Sequence, residues 1–368
     1  MKIRRRYYLI GLISIVFFAV IIGFIFMTRS KKVPESVMQQ IYAEVKTPFK
    51  YGLVLPPFDN SRKIDSPSIF RIGGYWYMSY VVFDGYGYET WIAQSDNLLQ
   101  WTTIGMALWS TKDTWDANQK AGYIALVDNT WGGNYEPEMF DEKYWMSYMG
   151  GATQGNKAGK LGVGMAFTDS LLPSGGWCRL DHPVLLPEDP DARQYEKQGL
   201  LKSTVIFDKE KTLGYPFVMF YNARGGENSA KNQETEQLAM AVSDDMVHWK
   251  RYGGKPVISH MSGVSGDACI ARIHDVWVMF YFGAFWKPGT FTRFACSYDL
   301  VNWTDWEGDN LIEPSEPFDR NFIHNSCVIK HDGVVYHFYS AVNDKGQRGI
   351  LLATSVDIGK SSLQFPSK

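Results

Sequence analysis

A run of aromatic residues ending in tyrosine occurs five times in this chain, and no other sequence feature restricts the fold so tightly. The copies are Trp76–Tyr80, Tyr144–Tyr148, Phe217–Tyr221, Trp277–Tyr281 and Val335–Tyr339. Their terminal tyrosines lie 68, 73, 60 and 58 residues apart (148−80, 221−148, 281−221, 339−281). Aromatic and β-branched residues at this density favour strands. A second apolar run follows each copy and ends in Ala-x-Ser or Ala-x-Thr: Ala93–Ser95, Ala166–Thr168, Ala241–Ser243, Ala295–Ser297 and Ala353–Ser355. In four copies Trp101, Trp177, Trp249 or Trp303 then closes the unit. Asp96, Asp169, Asp244 or Asp299 occupies the intervening turn, where a carboxylate bonds its own backbone. Three marks recurring in one order predict an all-β, five-bladed β-propeller built from meanders of three or four strands. Little chain remains after Ser355. The last blade must take its outer strand from Leu363–Phe365, or from Tyr51–Leu55, which would close the ring.

In a propeller the first strand of each blade lines the axis, so the residues that open these strands converge on one end of the channel. Aligned on their apolar residues, Asp65 (in Asp65-Ser66-Pro67-Ser68), Lys202, Asp267 and His324 stand level. In the second copy Pro137 matches Pro67, which places Tyr135 on the axis and Glu136 one step out. A structural repeat needs no ionisable group there, and desolvating unpaired charge is costly, so the cluster points to a ligand site. The competing reading is a salt-bridge network of Lys202 with Asp65 and Asp267. Paired carboxylates in an aromatic-rimmed pocket suit glycoside hydrolysis, with one as acid and one as base or nucleophile. Burial and neighbours such as Lys202 and His324 would separate their pKa values. Candidate substrate contacts are Lys202, Arg224, Arg293 and Arg348, because a guanidinium donates in pairs, and the loop tryptophans Trp109, Trp115, Trp131 and Trp286, which would stack on sugar faces. The long connection 111–133 is placed over the pocket mouth, since loops of that length are often functional.

The repeat architecture and the Asp65-Ser66-Pro67-Ser68 start resemble the clan of arabinanases, β-xylosidases, invertases and levansucrases, most nearly glycoside hydrolase family 43, over roughly residues 50–360. That resemblance implies Asp65 as general base, a later aspartate such as Asp267 tuning pKa, and a glutamate acid opening the third inner strand. Lys202 stands there instead, which leaves Glu196, Glu136 or Glu138 as substitutes. The chain also resembles family 117, which implies a histidine acid, here His324. The Trp-Met-Asn-Asp-Pro motif of typical invertases is missing from the sequence. A glycoside phosphorylase, with phosphate on Lys202, His324 and an arginine, and a non-catalytic glycan-binding propeller are the alternatives.

The N-terminus differs from the rest. Lys2, Arg4, Arg5 and Arg6 precede an uncharged apolar run over 7–27, closed by Arg29, Lys31 and Lys32. Its 21 residues (27−7+1) suffice to span a bilayer, for which about 20 are needed. The expected organisation is a signal-anchor or signal peptide over 1–32, a linker or short helix over 33–50, and a catalytic propeller over 51–368. The enzyme would be membrane-anchored and extracytoplasmic, or secreted after cleavage. A net charge of −2 without long like-charge runs argues against nucleic-acid binding. The four cysteines, Cys178, Cys269, Cys296 and Cys327, show neither a disulfide framework nor zinc spacing and are expected as free, buried thiols. No cofactor is implied beyond the option of a structural cation on the axis.

Overall fold

The computed structural model describes residues 32–225, 235–260, 263–285 and 289–367; the apolar run 7–27 and Trp286 lie outside them. Among the described residues, twenty strands form five four-stranded antiparallel meanders. The first blade is β2 (Lys63–Ile72), β3 (Tyr75–Phe83), β4 (Tyr88–Ser95) and β5 (Thr102–Leu108). The second is β6 (Gln119–Ile124), β7 (Tyr144–Gly151), β8 (Gly162–Thr168) and β9 (Cys178–Arg179). The third comprises β10 (Gly199–Phe207), β11 (Phe217–Arg224), β12 (Glu236–Ser243) and β13 (Trp249–Tyr252). The fourth comprises β14 (Val264–Ile273), β15 (Val276–Ala284), β16 (Phe291–Ser297) and β17 (Thr304–Asp305). The fifth is β18 (Phe322–His331), β19 (Val334–Val342), β20 (Arg348–Thr354) and, from the start of the chain, β1 (Phe49–Leu55), which pairs antiparallel with β20. Of the two options for closing the ring, the N-terminal segment supplies the strand.

Helix α1 (Glu35–Val45) occupies the stretch where a linker or short helix was expected, and it buries Met38, Ile41 and Val45 against blades four and five. Among the described residues no helix is long and apolar enough to cross a membrane.

The recurring marks have local causes. Tyr80, Tyr148, Tyr221, Tyr281 and Tyr339 are fully buried, and a buried phenol needs a partner. Their hydroxyls bond Thr103 (2.7 Å), Asp116 (2.8 Å), Glu196 (2.5 Å), Asp305 (2.9 Å) and Asp319 (3.0 Å). Trp101, Trp249 and Trp303 donate their indole N–H to the carbonyls of Leu98, Met246 and Leu300 at 2.8–3.0 Å. The side chain that caps the turn before each Trp is Asn97, Asp245 or Asp299. In the first and third blades it thus stands one position after the expected Asp96 and Asp244. All four cysteines are free, but only Cys296 and Cys327 are buried; Cys269 is partly buried, and Cys178 is exposed on the short outer strand β9.

Candidate active site

Four inner strands carry the same irregularity near their first residues. Register shifts fall between Asp65 and Ser68, Leu200 and Ser203, Gly266 and Cys269, and His324 and Cys327. Such a bulge sets two residues against one, breaks strict alternation and turns successive side chains toward one side. Ser66, Asp267 and Asn325 adopt φ of 60°, 63° and 51°, a left-handed conformation uncommon for non-glycine residues, here at the same place in three bulges. Pro67 falls inside the first bulge, where its missing N–H costs no ladder bond.

The bulges also revise the alignment. Cross-strand pairing puts Asp65 level with Gly266 and His324, and Ser66 level with Asp267 and Asn325. Thr204 pairs with Phe220 as Ser68 does with Ser79, so Lys202 belongs to the second tier with Asp267. Both tiers nevertheless face one pocket of about 400 Å³, lined by Asp65, Lys202, Asp267 and His324 with Tyr123, Asn222, Asn325, Lys157 and Arg348. Gly266 must lack a side chain, because a Cβ there would sit 2.6 Å from the Asn222 amide nitrogen that reaches Asp267. The mouth continues over Arg224, Glu236, Phe282 and Phe322.

The two axial aspartates are held differently. Arg348 Nη1 donates to Asp65 Oδ2 at 2.7 Å, and Ser66 Oγ donates to Asp65 Oδ1 at 2.8 Å. Burial pushes the Asp65 carboxyl up, but Arg348, His324 and Ser66 outweigh it and hold the group below the usual carboxylate range. Asp267 receives amide donors. Asn222 Nδ2 donates to it at 2.9 Å, and the Asn325 amide, in the orientation that satisfies its neighbours, donates to it as well. Burial raises the Asp267 pKa, the Glu236 carboxylate adds to the rise, and Lys202 and Lys157 offset only part of it. Glu236 opens β12. Arg224 binds it at 2.7 Å and Asn222 at 3.3 Å, and it is kept below its ordinary pKa although burial opposes this.

His324 is buried and its pKa falls to about 3, through desolvation first and the Arg348 charge second. Its Nδ1 donates to the Asn325 amide oxygen at 3.1 Å, which leaves Nε2 buried, unprotonated and without a partner. Among the described residues Lys202, 8% exposed, makes neither a hydrogen bond nor the anticipated close ion pairs with Asp65 and Asp267, although its charge acts on Asp267; its ammonium lies 5.1 Å from the centre of the Tyr123 ring. Among the described residues no cluster of three or more His, Cys, Asp or Glu side chains is placed to hold a metal ion.

Other expected site residues lie elsewhere. Glu136 is exposed at the far end of the channel: the carbonyl of the preceding Tyr135 accepts from Arg71 N–H, six residues along β2 from Asp65, or about 20 Å at the rise of a strand. Trp131 belongs to the same end, where its N–H bonds the Arg272 carbonyl and its indole donates to Glu44 of α1 at 2.7 Å. Both errors have one origin. The second inner strand is Gln119–Ile124, from the middle of the segment read as a loop over the mouth, and Tyr123 is its pocket residue. Its glycine and polar residues hide it from an apolar alignment. Arg293 is buried within the fourth blade and donates to the Gly308 carbonyl at 2.6 Å, away from the pocket. Glu196 is tied to Tyr221 and Arg251. Arg224 does reach the pocket rim. Sequence reasoning missed Glu236, Asn222, Asn325 and Lys157. Of these only Asn222 carries a visible signal, since it directly follows the recurring Tyr221.

No protein-family model matches the chain, and no curated protein does. Solved structures do. A structure of BT0996 described as an RGII complex is 50% identical, with a TM-score of 0.88, covering 91% of this chain and 99% of its own length. A structure named "Glycoside hydrolase" is likewise 50% identical, with a TM-score of 0.87 and the same coverage. A thermostable family-43 glycoside hydrolase shares the fold at 15% identity, with a TM-score of 0.59 over 85% of this chain and 98% of its own. With half its residues identical to such relatives along nearly their whole length, and with paired carboxylates in a propeller pocket, the chain belongs to the glycoside hydrolases and cleaves glycosidic bonds in oligo- or polysaccharides.

Proposed function

We propose that Asp65 is the general base or nucleophile of this glycosidase and Asp267 its general acid. The observation that carries this is the opposite displacement of two carboxyls in one pocket: Arg348 keeps Asp65 ionised, while burial and Glu236 favour a proton on Asp267. Pairs separated in this way divide into base and acid. His324, neutral and with Nδ1–H committed to Asn325, serves as an acceptor for a substrate hydroxyl rather than as the acid. Lys202, which can only donate, serves the opposite need at the pocket floor. Phe282 and Phe322 supply apolar surface at the mouth for a neighbouring sugar. The likeness to the BT0996 RGII complex makes oligosaccharides from RGII the first substrates to test. The test is hydrolysis of aryl glycosides and of RGII-derived, plant and algal oligosaccharides by wild type and by Asp65→Asn. The variant should fold with unchanged circular dichroism and lose about 10²–10⁴-fold in kcat/KM, the range of a positioned acid–base group. Retained hydrolysis would remove Asp65 from the mechanism.

We also infer that residues 7–27 anchor the enzyme with the propeller outside the cytoplasm. Helix α1 supports this, because it begins eight residues after the end of that run and packs at the end of the channel opposite the pocket, where Glu44 meets Trp131 and Lys330. The pocket would therefore face away from the bilayer. Protease added to intact cells should digest the propeller while the N-terminus stays in the membrane fraction. A full-length soluble protein would contradict the anchor.

A further inference from the structure

Beneath the polar pocket the axial channel continues into a largely apolar pocket walled by Ile69, Val205, Ile270 and Val328. Two thiols face it. Cys269 and Cys327 occupy equivalent places, the first residue after the bulge on inner strands β14 and β18, and pair with Phe280 and Phe338 respectively. The matching position in the first blade is Ser68 and in the third Thr204, so the repeat itself puts both sulfurs at one height on neighbouring blades. Each thiol perturbs the ionisation of the other, lowering Cys269 and raising Cys327. The Cys327 sulfur accepts the Ile69 N–H at 3.4 Å. Lys202 lines the same cavity from the pocket side. Asp128 and Asn129 line it at the end away from the polar pocket. A thiol close to a lysine ammonium carries more thiolate than an ordinary buried cysteine. The neighbouring Cys327 thiol and, more weakly, the Lys202 charge bring Cys269 below the ordinary thiol range against the effect of burial, while Cys327 is pushed up.

We propose that Cys269 and Cys327 form a dithiol site for small disulfides, which closes into a disulfide tying the fourth blade to the fifth. The Cys269 thiolate attacks one sulfur of the incoming disulfide and expels one thiolate, leaving a mixed disulfide. Cys327 then loses its proton to solvent and attacks the Cys269 sulfur, expelling the second thiolate. Two protein thiols are oxidised by two electrons, and one small disulfide is reduced to two thiols. Bridging residues 58 apart (327−269) restricts the unfolded chain and staples the ring across one of its joints.

The test uses the full chain in detergent, treated with 2-hydroxyethyl disulfide, quenched with iodoacetamide, digested and read by mass spectrometry. The expected result is a Cys269–Cys327 cross-linked peptide, loss of two of the four alkylatable thiols, and a Tm higher by several degrees, all reversed by dithiothreitol. Cys327→Ser should abolish the cross-link and leave Cys269 carrying hydroxyethyl disulfide. Four intact thiols, modification confined to exposed Cys178, or a stable adduct on Cys269 in the wild type would overturn the proposal. None of these readouts requires glycosidase activity.

Discussion

Two sets of buried charge exist in this propeller, and they are finished to different degrees. Within the blades, the carboxylates that receive the recurring tyrosines are fully partnered. Asp116 takes Tyr148 at 2.8 Å, Thr114 at 2.7 Å and Arg179 at 2.5 Å, with Lys120 3.7 Å away. Glu196 takes Tyr221, Arg251 and the Arg193 backbone, and Asp319 takes Tyr339 and Lys50. On the axis, among the described residues, Asp267 has only amide donors, Lys202 makes no close ion pair, and His324 Nε2 has no partner. Buried polar atoms in folded proteins are normally satisfied, so the blade clusters look like structure and the axial set looks like a site completed by its substrate. Buried charge alone does not mark an active site. Incomplete pairing around a cavity does.

Substitutions should separate the two sets. The largest effect is expected from Asp267→Asn, with about 10²–10⁴-fold loss on glycosides with poor leaving groups and little loss on dinitrophenyl glycosides, which need no protonation. Equal losses on both would move the acid role to another group, Glu236 first. Asp116→Asn should cost about 3–5 kcal/mol in urea unfolding, since it strands Lys120 and Arg179, while the folded fraction keeps its kcat/KM. A large drop in kcat/KM with unchanged stability would erase the contrast drawn between the sets.

The pH dependence gives a smaller, signed effect. The folded-state pKa of His324, about 3, lies below the unfolded value of 6.5, so the unfolded chain gains a proton that the native state refuses. Stability falls as pH drops below 6.5, and His337, also lowered to about 3, adds to the fall. Wild type should therefore lose more stability than His324→Gln between pH 7 and pH 5, by on the order of 2 kcal/mol in denaturant titrations. Parallel losses would show that His324 is not a buried neutral imidazole. At the small end, Glu136→Gln should change kcat/KM by less than about twofold, because Glu136 is exposed at the opposite mouth.

Much of this architecture can be read from the chain alone. Five tyrosine-ended strands with Ala-x-Ser/Thr and Trp marks dictate blades because each mark answers a local need: a phenol seeking a buried partner, an indole bonding a turn carbonyl. Asp65, Lys202, Asp267 and His324 are recognisable as axial for the same reason, since they head apolar strands. What required the tertiary structure was everything a bulge or a change of blade decides. The one-residue shifts reorder Lys202 and Asp267 against Asp65, and apolar alignment cannot detect an inserted residue that leaves the strand pattern intact. The second inner strand, which opens on Gln119 and Lys120 and carries a central Gly122, was invisible beside the more apolar segment that drew Glu136 and Trp131 into the wrong end of the channel. Glu236 and Arg348 come to Asp267 and Asp65 from other strands across distances that no local spacing encodes. Which carboxyl keeps its proton depends on those neighbours and on burial, and both exist only once the ring has closed.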